Sequence, residues 1–177
     1  GHLYPGLALA DEIRFQRPDA KITFIGSRQG LDSTIVPGAG HRLVTLSIGR
    51  GSPLNCRKPM NVLLFMKAFW ECRRFFQKEP AHAVVGLGGF AASVPGILAG
   101  LGGVPLVLLE QNAIPGRVTR FLSRWADEIH LQFAEASAFI KAESAALKNS
   151  GSPPRRDIAA LYEAGQPEVS ARQHLLV

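Results

Sequence analysis

The chain has 177 residues, 46% of them apolar and 19% charged, ordinary globular proportions that exclude disorder over most of its length and allow one full hydrophobic core. A formal net charge of +6 and a sequence pI near 9.8 point to anionic partners (a nucleotide, a pyrophosphate, an acidic lipid surface or a nucleic acid) without choosing among them. Cys56 and Cys72 make neither a disulfide framework nor a metal spacing, no apolar run reaches the roughly 18 to 20 residues that span a bilayer, and no signal peptide is visible; a cytoplasmic location with reduced thiols is expected.

In chain order, Pro5 suits the first turn of a helix, where its missing N–H has no partner to lose, and Leu9, Ala10 and Ile13 then share a face opposite Asp11, Glu12 and Arg14. That helix is predicted to end at Arg17, before Pro18. Ile22 to Gly26 and Arg42 to Ile48 read as strands, with a short helix over Gly30 to Val36 closed by Pro37 and Gly38 between them. A Gly/Pro-rich stretch over Gly49 to Pro59 leads into a long helix, Asn61 to Lys78, ended by Pro80. Ala83 to Val85 is a buried strand running into Gly86-Leu87-Gly88-Gly89, and a small-residue helix spans about Ala92 to Leu101. Val104 to Leu109 is the most strand-like run. Glu110-Gln111-Asn112 closes it, Pro115-Gly116 opens a helix to about Trp125, and Glu128 to Phe133 is the last clear strand.

Strands alternating with helices predict an α/β domain with a Rossmann-like parallel sheet, right-handed crossovers and helices on both faces. If Gly1-His2 is the loop after the first strand of such a sheet, that central strand is missing and the fragment is expected to be poorly stable. From Lys148 onward, Pro153, Pro154, Pro167 and scattered charges have a linker composition, and an apolar strand-type run begins at Leu175-Leu176-Val177.

Ligands of open α/β sheets sit beyond the carboxyl ends of the strands, which singles out three turns. In Gly1-His2-Leu3-Tyr4-Pro5 a glycine allows close backbone approach and His2 can exchange a proton as a general base, or it can merely cap the helix. In Gly86-Leu87-Gly88-Gly89-Phe90 dense glycines can form a nest of N–H donors for a phosphate, or serve only close helix-to-sheet packing. In Glu110-Gln111-Asn112-Ala113-Ile114-Pro115-Gly116 three polar side chains end a strand, where they bind a ligand or each other, or where Asn112 caps the next helix. No carboxylate pair or His/Cys cluster marks a metal site.

Gly-His-Leu-Tyr-Pro-Gly-Leu-Ala-Leu-Ala at the start, Val-Gly-Leu-Gly-Gly-Phe over 85–90 and Glu-Gln-Asn-Ala-Ile-Pro-Gly over 110–116 together resemble the MurG family of glycosyltransferases in order and spacing. Gly26 to Pro37 and Gly151 to Arg155 are similar to two further motifs of that family. The resemblance implies the amino-terminal half of a GT-B fold, with 1–147 the acceptor-side domain, 148–174 the interdomain linker and 175–177 the start of a donor-binding domain. It implies an inverting, metal- and cofactor-independent transfer of N-acetylglucosamine from UDP-N-acetylglucosamine to lipid I, forming lipid II in peptidoglycan synthesis, with this fragment inactive by itself. In that frame His2 is the candidate base. Gly1, Asn112 and Arg155 match positions that contact the sugar nucleotide, Gly86, Gly88, Gly89 and Phe90 face the acceptor pyrophosphate, and Glu110 and Gln111 support the site.

Arg50 to Lys78 combines Leu63, Leu64, Phe65, Met66, Phe69, Trp70, Phe75 and Phe76 with seven basic residues and one acid, Glu71. This is the pattern of a surface that dips into an anionic leaflet, or of a core helix with a solvated basic edge. The first reading predicts peripheral attachment through Asn61 to Lys78 to the cytoplasmic face of the membrane. Three other readings compete with this one. A non-catalytic, sugar-lipid-binding module working with a separate donor-binding chain is disfavoured by the strand start at Leu175. A dinucleotide enzyme lacks the Gly-x-Gly-x-x-Gly spacing, and a nucleic-acid partner fits only the charge.

Overall fold

The computed structural model describes residues 3–28, 30–47, 59–142 and 145–154. Its helices are α1 (Leu3–Gln16), α2 (Asp32–Gly38), α3 (Pro59–Lys78), α4 (Ser93–Gly102) and α5 (Arg117–Leu122). Its strands are β1 (Thr23–Ser27), β2 (Arg42–Leu46), β3 (Val84–Gly86), β4 (Leu106–Glu110), β5 (Glu128–Leu131) and β6 (Ala146–Asn149). Every described pairing is parallel. β1 pairs with β2, and a separate sheet runs β3-β4-β5-β6.

Two departures from the sequence reading stand out. Helix α2 keeps Pro37 as its penultimate residue, because the fixed proline φ is helical and only one backbone hydrogen bond is forfeited so close to the end. A sixth strand, β6, follows the one read as last and takes in Lys148 and Asn149, where the linker was expected to start. It is exposed along its whole length, yet it pairs with β5 from Glu128↔Ala146 to Leu131↔Asn149. Asp127 ties the strand starts together: its carboxylate accepts from the Leu106 N–H at 2.7 Å and its carbonyl from the Ala146 N–H at 2.9 Å.

Apolar burial fixes the helices on this frame. Leu106, Leu108, Ile129 and Leu131 of the sheet pack against Ala99, Leu122, Ala126, Ala136 and Ile140. A second cluster joins Leu46 and Ile25 to Phe65, Ala68, Phe69, Cys72 and Phe76 of α3 and to Val94 and Leu98 of α4. Helix α4 therefore contributes to both clusters and binds the two sheets into one body. Neighbouring strand residues point to opposite faces, so Phe24 looks away from α3. Its ring lies 5.3 Å from that of His41, whose Nε2–H donates to Asp11 of α1 at 2.9 Å; α1 and α3 thus cover opposite faces of β1 and β2. His41 is fully buried and its Nδ1 has no partner among the described residues.

Helix α4 and the 3-10 turn Ser123–Trp125 that follows α5 approach closely because Gly100 has no side chain: a Cβ there would stand 2.5 Å from the Trp125 Cβ and 2.6 Å from its Cγ. Gly102, two residues on in the same helix, faces open space. Thermal unfolding separates these cases. Gly100→Ala is expected to destabilise by about 1–3 kcal/mol through overpacking, whereas Gly102→Ala should be neutral or stabilising by up to about 1 kcal/mol through helix propensity.

Candidate functional site

The carboxyl ends of β3 and β4, neighbours in the sheet, carry two of the three turns singled out by sequence. Gly86 ends β3, and a Cβ there would stand 2.7 Å from Leu108 Cδ2, so packing alone accounts for this glycine. Gly88 and Gly89 differ. Their φ angles of 81° and 70° lie in the left-handed region that side chains disfavour, and a Cβ on Gly89 would meet nothing within 4 Å. No hydrogen bond among the described residues takes up the N–H of either glycine, so both donors are free for an anion. Phe90 turns the other way: it packs against the second core cluster and anchors the loop.

At the end of β4, Glu110 is only 3% exposed. Its Oε1 accepts from the Asn112 backbone N–H at 2.9 Å and the Asn112 Nδ2 at 2.7 Å, and its Oε2 accepts from the Gly116 N–H at 3.1 Å. One carboxylate thus folds the whole Glu110–Gly116 loop over itself. Asn112 does not cap α5, because the cap position belongs to Gly116 and Asn112 is committed to Glu110. With its amide nitrogen held there, exposed Asn112 turns its carbonyl end away from Glu110. Pro115 is fully buried beneath the loop while Ile114 stands out at 66% exposure. Gln111 is half-buried, with its Nε2 donating to the Leu109 carbonyl at 3.5 Å.

Gly1, His2 and Arg155 lie outside the described residues, as do Arg50, Arg57 and Lys58. What adjoins them is described. Gly6 in the second turn of α1 has no room for a side chain because Leu87 fills that space, which seats the amino end of α1 beside the glycine turn. Gly151, at a φ of 72°, donates its N–H to the Leu131 carbonyl at 3.2 Å and brings the segment before Arg155 back to the carboxyl end of β5.

Sequence reasoning missed a second carboxylate clamp. Glu71 accepts from the Ser47 N–H at 2.7 Å through Oε2 and from the Ser47 hydroxyl at 2.8 Å through Oε1, fixing the end of β2 to α3. Burial alone would raise the Glu71 carboxyl, but the Ser47 hydrogen bonds, helped by Lys67 and Arg28, hold it below the usual carboxylate range. Only its being the lone acid among seven bases hinted at such a role.

The apolar residues of α3 divide between two faces. Phe65, Phe69 and Phe76 pack into the core, and Phe75 lies beneath the Arg42 guanidinium. Met60, Leu63, Met66 and Trp70 form an outward stripe, 48–65% exposed, bordered by exposed Lys67, Arg73, Arg74 and Lys78. Cys72 is buried and its thiol is pushed up to about 12 by burial, so it is inert. Among the described residues no three His, Cys, Asp or Glu side chains converge to hold a metal, and no helix is long and apolar enough to cross a membrane.

Residues 1–131 match the model of the glycosyltransferase family 28 amino-terminal domain. The chain belongs to that family. A relative from Desulfitobacterium hafniense (strain Y51), named UDP-N-acetylglucosamine--N-acetylmuramyl-(pentapeptide) pyrophosphoryl-undecaprenol N-acetylglucosamine transferase, is 36% identical over 99% of the chain and 48% of its own length. One of the same name from Methylococcus capsulatus is 34% identical over 100% of the chain and 48% of its own length. The family 28 chain therefore spans about half the length of these curated relatives. The crystal structure of Acinetobacter baumannii MurG superposes with a TM-score of 0.68 at 23% identity, over 90% of this chain and 44% of that one, which establishes a shared fold. It is the amino-terminal GT-B domain, with parallel strands and covering helices, as the sequence implied.

The Glu110 lock yields a direct expectation for this family 28 domain. Glu110→Ala removes the acceptor for three N–H groups and should cost about 1–3 kcal/mol, with faster amide hydrogen exchange at Asn112 and Gly116 than in the parent. Unchanged exchange at both amides would mean that the carboxylate does not hold the loop.

Proposed function

We propose that this chain is the acceptor-side half of an inverting transferase that moves N-acetylglucosamine from UDP-N-acetylglucosamine to lipid I, forming lipid II. In this reading 148–174 form the linker and 175–177 begin a donor-binding domain. The relatives' shared name motivates the substrates. The observation that carries the reading is the pairing of free Gly88 and Gly89 N–H groups with the Asn112 amide locked by Glu110 at adjacent strand ends.

The chemistry then follows in steps. The glycine turn, including Gly86, Gly88, Gly89 and Phe90, holds the acceptor pyrophosphate, and an acceptor hydroxyl is presented to His2. His2 takes that hydroxyl's proton as the oxygen bonds to the anomeric carbon of N-acetylglucosamine from the face opposite the leaving group. The bond from that carbon to the diphosphate oxygen breaks through an oxocarbenium-like transition state, and UDP leaves with the electron pair. Gly1, Asn112 and Arg155 contact the sugar nucleotide, and Glu110 and Gln111 hold Asn112 in place. Fixed N–H groups suit this task because they face the developing charge without reorganising.

The chain joined to the carboxyl-terminal half of the Desulfitobacterium relative is expected to convert a short-chain lipid I analogue and UDP-N-acetylglucosamine to the disaccharide product. His2→Ala in that protein should lower kcat by at least about a hundredfold, the usual share of a general base. Full activity of the variant would move the base elsewhere. No transfer by the parent would favour a non-catalytic binding module.

The outward stripe of α3 supports peripheral attachment to the cytoplasmic face of the membrane, where its cations meet anionic headgroups as its apolar groups enter the acyl boundary. Large apolar side chains contribute about 1.5–3 kcal/mol each when buried, so Leu63→Glu with Trp70→Glu should reduce binding to anionic vesicles more than tenfold. Parent protein that ignores such vesicles at low salt would rule the attachment out.

A further inference from the structure

One buried side-chain polar atom among the described residues has no hydrogen-bond partner: Nδ1 of His41, whose side chain is fully withdrawn from solvent. Such a nitrogen weakens a fold, and an apolar ring in the same space, 5.3 Å from that of Phe24, would not carry the penalty. What the histidine adds lies at its other nitrogen, where Nε2–H donates to Asp11 Oδ1 of α1 at 2.9 Å. The segment that enters β2 is itself fixed, the His41 backbone N–H donating to the Val36 carbonyl at 3.1 Å. Beside it the Gly40 carbonyl accepts from Arg14 Nη1 at 3.4 Å, so this segment grips α1 at two positions one helical turn apart. Toward its amino end, α1 meets the glycine turn, where Leu87 fills the space a Cβ on Gly6 would need. Of the four buried residues of α1, Gly6, Ala8 and Ala10 carry at most a methyl group, so packing resists a slide along the axis only weakly. The directional bonds from 40–41 set that axial position.

We propose that His41 is a positioning residue for the transfer: through Asp11 it sets α1 along its axis, and so sets the base that precedes this helix against the glycine turn. The inference rests on the acceptor-side reading given above, in which His2, the residue before Leu3, is that base. A helix shifts along its axis as one body, because each turn is hydrogen-bonded to the next, so a displacement at Asp11 arrives undiminished at Leu3. The glycine turn belongs to the end of β3 and does not travel with it. Proton transfer requires the base within hydrogen-bond reach of the acceptor hydroxyl, and a misplacement of about 1 Å can cost about a hundredfold in rate. Acceptor binding, made by the turn, is left as it was.

The test uses the chain joined to the carboxyl-terminal half of the Desulfitobacterium relative, with UDP-N-acetylglucosamine and the short-chain lipid I analogue. His41→Phe keeps a ring against Phe24, removes both nitrogens and leaves Asp11, 52% exposed, to water. It is expected to melt at or above the parent temperature while kcat falls about tenfold and KM for the lipid I analogue stays within about twofold. Asp11→Ala strands the buried His41 N–H and should melt lower, with a similar loss of kcat. The two variants thus move stability in opposite directions and kcat in the same one, which a merely structural role would not do. Asp11→Asn keeps the acceptor oxygen and should retain most of the parent kcat. Full kcat in both His41→Phe and Asp11→Ala overturns the inference, and transfer that is still lost in His2→Ala would leave the acceptor-side reading standing. Losses of kcat that follow the melting temperatures, or that Asp11→Asn shares with Asp11→Ala, overturn it too. A parent that forms no disaccharide brings down both.

Discussion

A carboxylate taken almost wholly out of water survives only where hydrogen-bond donors replace the lost solvent, and Glu110 finds three such donors within seven residues of its own chain. No lysine or arginine pairs with it among the described residues, so the loop has to fold back and bring its N–H groups to the charge. Much else follows from that closure. Asn112 is oriented, the first amide of the α5 cap is satisfied, Pro115 is driven under the loop, and Ile114 is left outside. The position of Glu110 is itself fixed by β4, whose alternate residues Leu106 and Leu108 are buried in the main core. Hydrophobic burial thus sets the strand, the strand sets the carboxylate, and the carboxylate sets the polar geometry at the strand end.

Much of this was legible in the sequence, because parallel strands and the helices between them leave strong local signals. Val104 to Leu109 and Glu128 to Phe133 announced β4 and β5 by their apolar runs. Strand β6 left no such mark: Ala146-Leu147-Lys148-Asn149 is neither alternating nor β-branched, and pairing holds it through Asp127 and a polar group in which Lys148 and His130 both reach Glu128. In α3 the composition was plain but its division was not. Eight apolar residues read as one surface, and only the helical period sends Phe65, Phe69 and Phe76 inward while Leu63, Met66 and Trp70 stay out. The glycine turn reads as a unit in the sequence, yet Gly86 answers to Leu108 and only Gly88 and Gly89 answer to backbone conformation. That distinction depends on φ and on a neighbour twenty-two residues away, neither of which a motif contains.

The two carboxylate clamps solve the same problem in different surroundings. Glu110 is deep and surrounded by neutral donors, so it serves geometry. Glu71 is nearer the surface, and by binding Ser47 it joins β2 to α3, while Lys67 and Arg28 help to lower its carboxyl. In a sequence of positive excess, an acid thus serves as a tie between strand and helix.

The split of the strands into a pair and a quartet has a practical side. β1 and β3 each carry a neighbour on one side only among the described residues, and Val85 in β3 is 39% exposed, unusual for a strand type that is ordinarily covered on both faces. Rows of N–H and C=O groups with no strand partner among the described residues, beside exposed valine, are a template for any strand that arrives, including the same strand of another molecule. For a preparation of this chain, concentration itself then acts as a reagent. Molecules that meet along these edges can continue a sheet from one chain into the next.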